Sequence, residues 1–185
     1  MDLPRDTIAR ERGVADEFAK GKNTVEFTIE WGGKNYKLKW TKNSNGLIDF
    51  GDRNDLARIL GTTDNVEAHH IVSWAIGRDN PVIQKAALDG FHLNMVENGI
   101  GLEKYTKLIG DGLHGNHPAY DAYIRFRLNN FATSNPTYDA VSANKFLQES
   151  LIPEIKIKIS EAKNSPLNLN EYFKQIVNKD IIPGY

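Results

Sequence analysis

Alternating apolar and polar residues near the start of the chain predict a β-hairpin. Two runs have a period of two, which places successive side chains on opposite faces of a strand. A Gly-Gly turn separates the runs, and their apolar members are Val25, Phe27, Ile29, Trp31, Tyr36, Leu38 and Trp40. Helical spacing predicts a helix over residues 5–20, ended by Gly21, and a short helix over residues 55–60, ended by Gly61.

Shorter elements are predicted in the middle of the chain. Residues 66–72 are apolar at alternate positions and partly β-branched, which indicates an extended segment. A proline suits the first turn of a helix, so Pro81 predicts a helix over residues 81–88. The Asn-containing turns of residues 91–102 are expected to include a second strand.

From His117 onwards the pattern is helical. Pro118 predicts a helix start at this point, and the helix is expected to run through Phe131. Residues 137–163 and 169–178 have the apolar spacing of two further helices. The chain is therefore predicted to be α+β, with an N-terminal hairpin, a second small sheet, additional helices and a mostly helical C-terminal part.

Composition limits the chemistry that the chain can perform. With 185 residues, 40% of them hydrophobic, the chain suits one globular domain with or without an added arm. No apolar run is long enough for a transmembrane segment, and no signal peptide is expected. The absence of cysteine excludes disulfides, thiol catalysis and cysteine-ligated zinc. Any metal ion must be held by His, Asp, Glu or Asn.

The net charge of −1 argues against a protein that coats nucleic acid non-specifically, because such binding depends on Lys and Arg. Positive charge is nevertheless concentrated locally. One run has no acidic residue, and its simpler interpretation is the solvated face of a strand; its lysines are Lys34, Lys37, Lys39 and Lys42. A second group flanks the later histidines and consists of Lys104, Lys107, Arg125 and Arg127.

All five histidines lie between residues 69 and 117. His69 and His70 are adjacent, so on a strand they point to opposite faces and cannot do the same job. One is expected to face a metal ion and the other a water molecule, because imidazole binds metals and exchanges protons near neutral pH. His114 and His117 form a second cluster, and His92 is interpreted as a hydrogen-bonded core residue.

Three strings in this order and spacing carry a resemblance to a known family. They are Glu67-Ala68-His69-His70-Ile71-Val72, then Gly90-Phe91-His92-Leu93-Asn94 with Glu97-Asn98-Gly99-Ile100-Gly101-Leu102, and His114-Gly115-Asn116-His117-Pro118-Ala119-Tyr120. Over about residues 66–130 the chain resembles the AHH branch of the HNH/endonuclease VII superfamily. The resemblance implies a ββα-metal fold, in which a two-stranded hairpin carries the histidine pair and a crossing helix carries further ligands.

The resemblance also implies roles for individual residues. His69 would be a metal ligand and His70 the general base. Asn98 would hold the imidazole of the base in the required tautomer. His117 would be a second metal ligand and His114 a third.

Other nearby residues are candidates for supporting roles. Asp121 lies one turn after His117 on the same helix face, where it would support the metal site. Arg125 and Arg127 are candidates to clamp the scissile phosphate. Glu67 is expected either to pair with such an arginine or to face solvent.

Three segments are predicted: residues 1–65 as an N-terminal helix and hairpin arm, 66–131 as the nuclease core, and 132–185 as a helical scaffold. By resemblance, the expected activity is that of a metal-dependent endonuclease toxin. It would cut DNA or, as the less favoured substrate, RNA. A non-catalytic domain stabilised by metal is the alternative. The one divalent ion is left open among Mg, Mn, Zn and Ni.

The resemblance further implies a place in competition between bacteria. The toxin domain would be delivered into the cytoplasm of the target cell and would have no membrane association of its own. A cognate immunity protein would neutralise it in the cell that makes it.

Overall fold

A computed structural model describes residues 13–104 and 116–179 of the chain. Within these ranges the fold is α+β, as predicted, with two small sheets and several helices. The helices are α1 Val14–Ala19, α2 Asp55–Leu60, α3 Trp74–Gly77, α4 Pro81–Ala87, α5 Pro118–Ser134, α6 Ala140–Phe146, α7 Ile152–Lys163 and α8 Leu169–Lys179. The strands are β1 Thr24–Trp31, β2 Lys34–Lys42, β3 Ile48–Asp49, β4 Val66–His70 and β5 Gly99–Glu103.

The predicted N-terminal hairpin is confirmed as β1 and β2, which pair antiparallel. Three apolar pairs lie directly opposite one another and form one largely buried face: Val25 with Trp40, Phe27 with Leu38, and Ile29 with Tyr36. The other face pairs acidic with basic residues, because Glu26 lies opposite Lys39 and binds Lys37 at 2.8 Å. Lys37 and Lys39 therefore lie on the solvated face of β2 with acidic neighbours, whereas Lys34 and Lys42 are exposed at the two ends of the strand. The two-residue strand β3 extends this sheet and was not predicted.

Strands β4 and β5 form the second sheet, in which His69 lies opposite Ile100 and His70 opposite Gly99. Helix α2 packs closely against this sheet. A Cβ atom at Gly99 would come within 2.7 Å of Leu56 Cδ1, so any larger residue here would force the Leu56 side chain of α2 to shift. The predicted second strand within residues 91–102 is thus confirmed, although it continues to Glu103.

Helices cover the remaining surfaces. Asn80 caps α4 by accepting a hydrogen bond from the N–H of Val82 at 3.0 Å, and Pro81 occupies the first turn, as its position predicted. Helix α5 packs on α8, and α4 packs on α6. The helix predicted over residues 137–163 is divided into α6 and α7 by a π-helical turn, Leu147–Leu151. Pro153 follows this turn and has no N–H to continue the regular ladder.

Buried apolar side chains from all three predicted segments belong to one core cluster. Trp40 of β2 donates a hydrogen bond from Nε1 to the carbonyl oxygen of Phe91 at 2.9 Å, which fastens the first sheet to the segment before β5. Residues 5–12 of the predicted N-terminal helix lie outside the described ranges. Among the helices that are described, none is long and apolar enough to cross a membrane.

Candidate functional site

His69 and His117 come together although one lies on β4 and the other begins α5. Their ring centroids are 4.9 Å apart, and the His69 side chain is buried. Tyr120 packs against both rings, at 5.0 Å from His69 and 5.1 Å from His117. Its hydroxyl donates a hydrogen bond to the carbonyl oxygen of Ile71 at 2.6 Å. Tyr120 therefore ties the first turn of α5 to the end of β4 and holds the two imidazoles together.

Burial raises the pKa of Tyr120 well above its ordinary value, so its hydroxyl remains protonated and able to donate. The Tyr120 ring also contacts Phe173 of α8 at 4.9 Å. Another α8 residue, Asn170, accepts a hydrogen bond from the N–H of Ala119 at 3.0 Å. Helix α8 thus supports the N-terminal turn of α5, and one of the N–H groups there is already occupied.

Asp121 extends the histidine pair by one turn of α5. Its Oδ1 lies 3.6 Å from Nδ1 of His117 and, within the described ranges, is buried without a hydrogen bond. Imidazole nitrogens and a carboxylate oxygen are ordinary ligands for Zn, Mn or Ni. Across residues 13–104 and 116–179, however, no group of three or more His, Asp or Glu side chains is arranged to hold a metal ion. These residues fit part of a metal site, and His114 lies outside the described ranges.

His70 faces a different environment from that of His69, as the geometry of a strand requires. Its Nε2 is 2.9 Å from Oδ1 of Asn94, and its ring lies 5.6 Å from the ring of Trp74. Burial lowers the pKa of His70, the hydrogen bond to Asn94 opposes this change, and the positive charge of Arg53 lowers the pKa further. The net effect favours a neutral imidazole, which is the form that can accept a proton.

The prediction that Asn98 contacts the imidazole of His70 is wrong. Asn98 is buried, and its amide is occupied by main-chain groups. Its Oδ1 accepts from the N–H of Val72 at 2.8 Å, and its Nδ2 donates to the carbonyl oxygen of Leu93 at 2.8 Å. Asn98 therefore fixes the chain around β4 and β5, whereas Asn94 contacts the imidazole of His70.

The two arginines of α5 lie on different sides of the helix, because residues two positions apart are separated by about 200°. Arg125 is exposed and has no ion pair among the described residues. Arg127 is bound by Glu154 of α7, to which Tyr123 also donates a hydrogen bond, at 2.6 Å. The expectation that Arg127 clamps phosphate is therefore not supported by its position. It contributes instead to the packing of α5 on α7.

Glu67 does not pair with an arginine among the described residues. Its Oε1 lies 3.9 Å from Nζ of Lys104, and about half of its side chain is exposed. The basic residue near His70 is Arg53, which sequence reasoning missed. Arg53 is exposed and has no ion pair in the described part of the chain, whereas neighbouring Arg58 is bound to two aspartates. Nothing in the local sequence pattern distinguishes Arg53 from other exposed arginines.

His92 is a core histidine, as predicted. It is buried, its Nε2 is 3.1 Å from the carbonyl oxygen of Lys39, and its ring contacts Trp40 and Phe50. Burial lowers the pKa of His92 to about 3. His92 is therefore neutral near pH 7 and lies behind the site, against β2.

These features define a histidine-rich site between a two-stranded sheet and the start of a helix. Residues 51–156 match AHH, a nuclease family of the HNH/ENDO VII superfamily with conserved AHH. This match covers more than half of the chain, which therefore belongs to the AHH nuclease family. The Ala68-His69-His70 string lies within the match. Neither a curated protein nor a solved structure matches the chain significantly.

Proposed function

We propose that this member of the AHH family is a metal-dependent endonuclease whose ββα-metal core consists of β4, β5 and α5. The observation that carries the proposal is the approach of His69 and His117, whose ring centroids are 4.9 Å apart. His69 and His70 are adjacent at the end of β4. A second histidine brought against one of them by α5 provides the paired nitrogen ligands that a metal ion needs.

The metal ligands in this proposal are His69 and His117, with Asp121 beside His117 and His114 as a further donor. A divalent ion at this position, whether Mg, Mn, Zn or Ni, would neutralise charge on the scissile phosphate and the leaving oxygen. Tyr120 would keep the two imidazoles in place by packing against both rings. The buried Oδ1 of Asp121 supports this assignment, because a buried carboxylate oxygen needs a partner.

His70 is the proposed general base. A neutral imidazole takes a proton from the attacking water, and the lowered pKa of His70 favours that neutral form. The water would attack phosphorus, and one P–O bond of the phosphodiester would break. His69 and His70 can divide the work because the strand presents them to opposite faces.

Substrate binding is assigned to exposed cations on both sides of the histidines. Arg125 lies one helical turn after Asp121 and has a free guanidinium among the described residues. Arg53 lies close enough to His70 for its charge to lower the pKa of that histidine. A guanidinium binds phosphate oxygens with two parallel hydrogen bonds, so these arginines would hold the backbone of the nucleic acid.

The proposed biological role follows the family resemblance. The chain would act as a toxin against competing bacteria, delivered into the cytoplasm of the target cell, with DNA as the favoured substrate and RNA as the alternative. A cognate immunity protein would protect the cell that makes it. Because the net charge is −1, the basic surface is local, and an acidic inhibitor would associate fastest there at low salt.

Cleavage of purified substrates tests the enzymatic proposal directly. Supercoiled plasmid and total RNA are incubated with the protein in each candidate metal, with and without chelator. We expect nicked and linear plasmid products with the parent protein. These products should be absent when chelator is added and when the His69→Ala/His117→Ala double variant is used. If metal raises the melting temperature while both substrates stay intact, the non-catalytic metal-stabilised alternative is the better account. Degraded RNA with intact plasmid would identify an RNase.

Expression in a bacterial host tests the toxin role. We expect growth arrest with the parent chain and normal growth with His70→Ala. A small protein encoded next to the toxin should restore growth and copurify with it. Normal growth with abundant, metal-loaded parent protein and intact cellular DNA and RNA would contradict the toxin role.

A further inference from the structure

Two polar residues, Asn94 and His92, connect His70 to main-chain carbonyl groups on two sides. Asn94 lies at the centre, with Oδ1 2.9 Å from Nε2 of His70 and Nδ2 2.8 Å from the carbonyl oxygen of Asp52. The N–H of Asn94 donates to Nδ1 of His92 at 3.0 Å. His92 in turn contacts the carbonyl oxygen of Lys39 through Nε2 at 3.1 Å. Asn94 and His92 are both buried, so this network is held in the interior.

Main-chain groups determine the direction of every hydrogen bond in the network. The carbonyl oxygen of Asp52 can only accept, so the Asn94 amide must present Nδ2 to it and Oδ1 to His70. An amide oxygen also only accepts, and Nε2 of His70 must therefore carry the proton. The same reasoning applies to His92, whose Nδ1 accepts from an N–H and whose Nε2 donates to Lys39. Both histidines therefore carry their proton on Nε2, and all the hydrogen bonds of the network can form at the same time.

The remaining nitrogen of His70 is left with its lone pair. A neutral imidazole carries one proton, so protonation at Nε2 leaves Nδ1 as an acceptor. No hydrogen bond among the described residues reaches Nδ1 of His70. The network thus selects which nitrogen can take a proton from a water molecule.

We propose that Asn94 is the positioning residue of this site, which holds the imidazole of His70 with its proton on Nε2 and its Nδ1 lone pair available to a water molecule. The inference rests on the proposed function in one respect, namely that His70 accepts a proton from a water molecule. Asn94 touches neither metal nor substrate in this account. It acts through His70, and Asp52 and His92 fix the orientation of Asn94 itself.

Nitrogen NMR of the 185-residue protein tests the tautomer without measuring activity. Long-range proton–nitrogen spectra of ¹⁵N-histidine-labelled protein, recorded with chelator present, distinguish Nδ1–H from Nε2–H in neutral imidazoles. We expect His70 in the parent chain to be the Nε2–H tautomer. A predominant Nδ1–H tautomer of His70 in the parent protein would overturn the proposal, irrespective of the spectra of the variants.

Variants test whether Asn94 causes the preference. Asn94→Leu removes the acceptor and should give a mixture of the two His70 tautomers, whereas Asn94→Asp keeps an acceptor and should retain Nε2–H. Asn144→Leu is the matched control, because Asn144 is another buried asparagine but its amide binds Asp89, away from His70. This control should leave the His70 tautomer unchanged. An unchanged tautomer in Asn94→Leu would overturn the proposal.

Kinetics provides the second readout. We expect Asn94→Leu to lower kcat by about 10- to 100-fold with little change in KM, the range that is typical when the partner orienting a histidine ligand of a metal is lost. Asn94→Asp should recover part of this loss. A fall in kcat no larger than that of Asn144→Leu would overturn the proposal. If the parent chain cleaves nothing, the proposed nuclease function fails, and the NMR measurement still decides how His70 is held.

Discussion

At the scale of single residues, the histidines of one short stretch have different environments. His69 packs against His117 and Tyr120, His70 contacts Asn94, and His92 is enclosed by aromatic rings. A residue type alone therefore does not decide a role here. What differs is the neighbour of each imidazole, and this difference leads to separate predictions for the proposed base and for the proposed ligands.

The proposed role of His70 as general base is tested by His70→Ala. We expect cleavage to fall by about 10²-fold or more, because general base catalysis typically contributes that much. Metal affinity and melting temperature should change little, since the side chain lies on the opposite face from His69. Single-turnover cleavage measured beside circular dichroism checks both statements. Cleavage at the parent rate by the folded variant would remove His70 from the mechanism.

The proposed metal ligands are tested by His69→Ala, His117→Ala and Asp121→Asn. Each should weaken metal binding as well as cleavage, because affinity falls when a donor is removed. Calorimetric titration with Mn and Zn gives the affinity of each variant. Arg125→Gln, on the same helix but without a donor for metal, is the control and should bind metal like the parent. Parent-like affinity in both histidine variants would place the metal elsewhere.

At the scale of secondary-structure elements, helix α5 presents different groups of side chains on two faces. His117, Asp121 and Arg125 follow one another at intervals of one turn, whereas Arg127 points away toward Glu154 of α7. The strand pair β4–β5 is similarly divided, because α2 covers one face and Tyr120 approaches the other side at His69. Substitutions two residues apart should therefore have different consequences.

This division is tested by comparing Arg125→Gln with Arg127→Gln. We expect Arg125→Gln to raise KM for nucleic acid several-fold at unchanged stability, with a reduced dependence of binding on salt. Arg127→Gln should lower the free energy of unfolding by about 1–3 kcal/mol, because it leaves the partly buried Glu154 without its charged partner. Urea unfolding and cleavage kinetics measure the two effects. Equal effects of both substitutions on KM would contradict the assignment.

Arg53 belongs to a third element, the loop before α2, and is exposed beside His70. We expect Arg53→Gln to raise KM in the same way as Arg125→Gln, because both remove a guanidinium from the proposed phosphate path. The control is Arg58→Gln, whose guanidinium is already bound to Asp52 and Asp55. A larger rise in KM for the control than for Arg53→Gln would show that Arg53 does not contact substrate.

At the scale of the whole molecule, the core joins the first sheet to the site through His92 and Trp40. Burial lowers the pKa of His92 to about 3, from an ordinary value of 6.5. Below pH 6.5 the unfolded chain binds a proton at this residue, whereas the folded chain does not. Protonation therefore favours unfolding, and the stability present above pH 6.5 is lost as the pH falls toward 3.

We expect the free energy of unfolding to fall by up to about 1.4 kcal/mol per pH unit from this residue alone. Urea unfolding between pH 7 and pH 4 measures the slope. His92→Phe should be less stable at pH 7, because it loses two hydrogen bonds, and should show a shallower dependence on pH. Parallel profiles for the two proteins would mean that His92 is not buried as a neutral group.

Local physical chemistry determined much of the fold from the sequence by itself. A period of two defines β1 and β2, and the proline and asparagine before α4 define its first turn, because these signals act over a few residues. The same local geometry assigned His69 and His70 to opposite faces. The Ala68-His69-His70 string also indicated the nuclease family, to which the match over residues 51–156 shows that the chain belongs.

Only the tertiary structure decided which distant groups meet. Asn94 and Asn98 lie four residues apart in the segment before β5, yet Asn94 contacts His70 and Asn98 binds the main chain of Val72 and Leu93. Arg125 and Arg127 differ because Glu154, far along the chain, lies beside one of them. Which hydrogen bonds and ion pairs form depends on how the chain between the elements folds. The energy of each interaction is set by its burial and by the distance between its partners, and neither quantity can be read from neighbouring residues in the sequence.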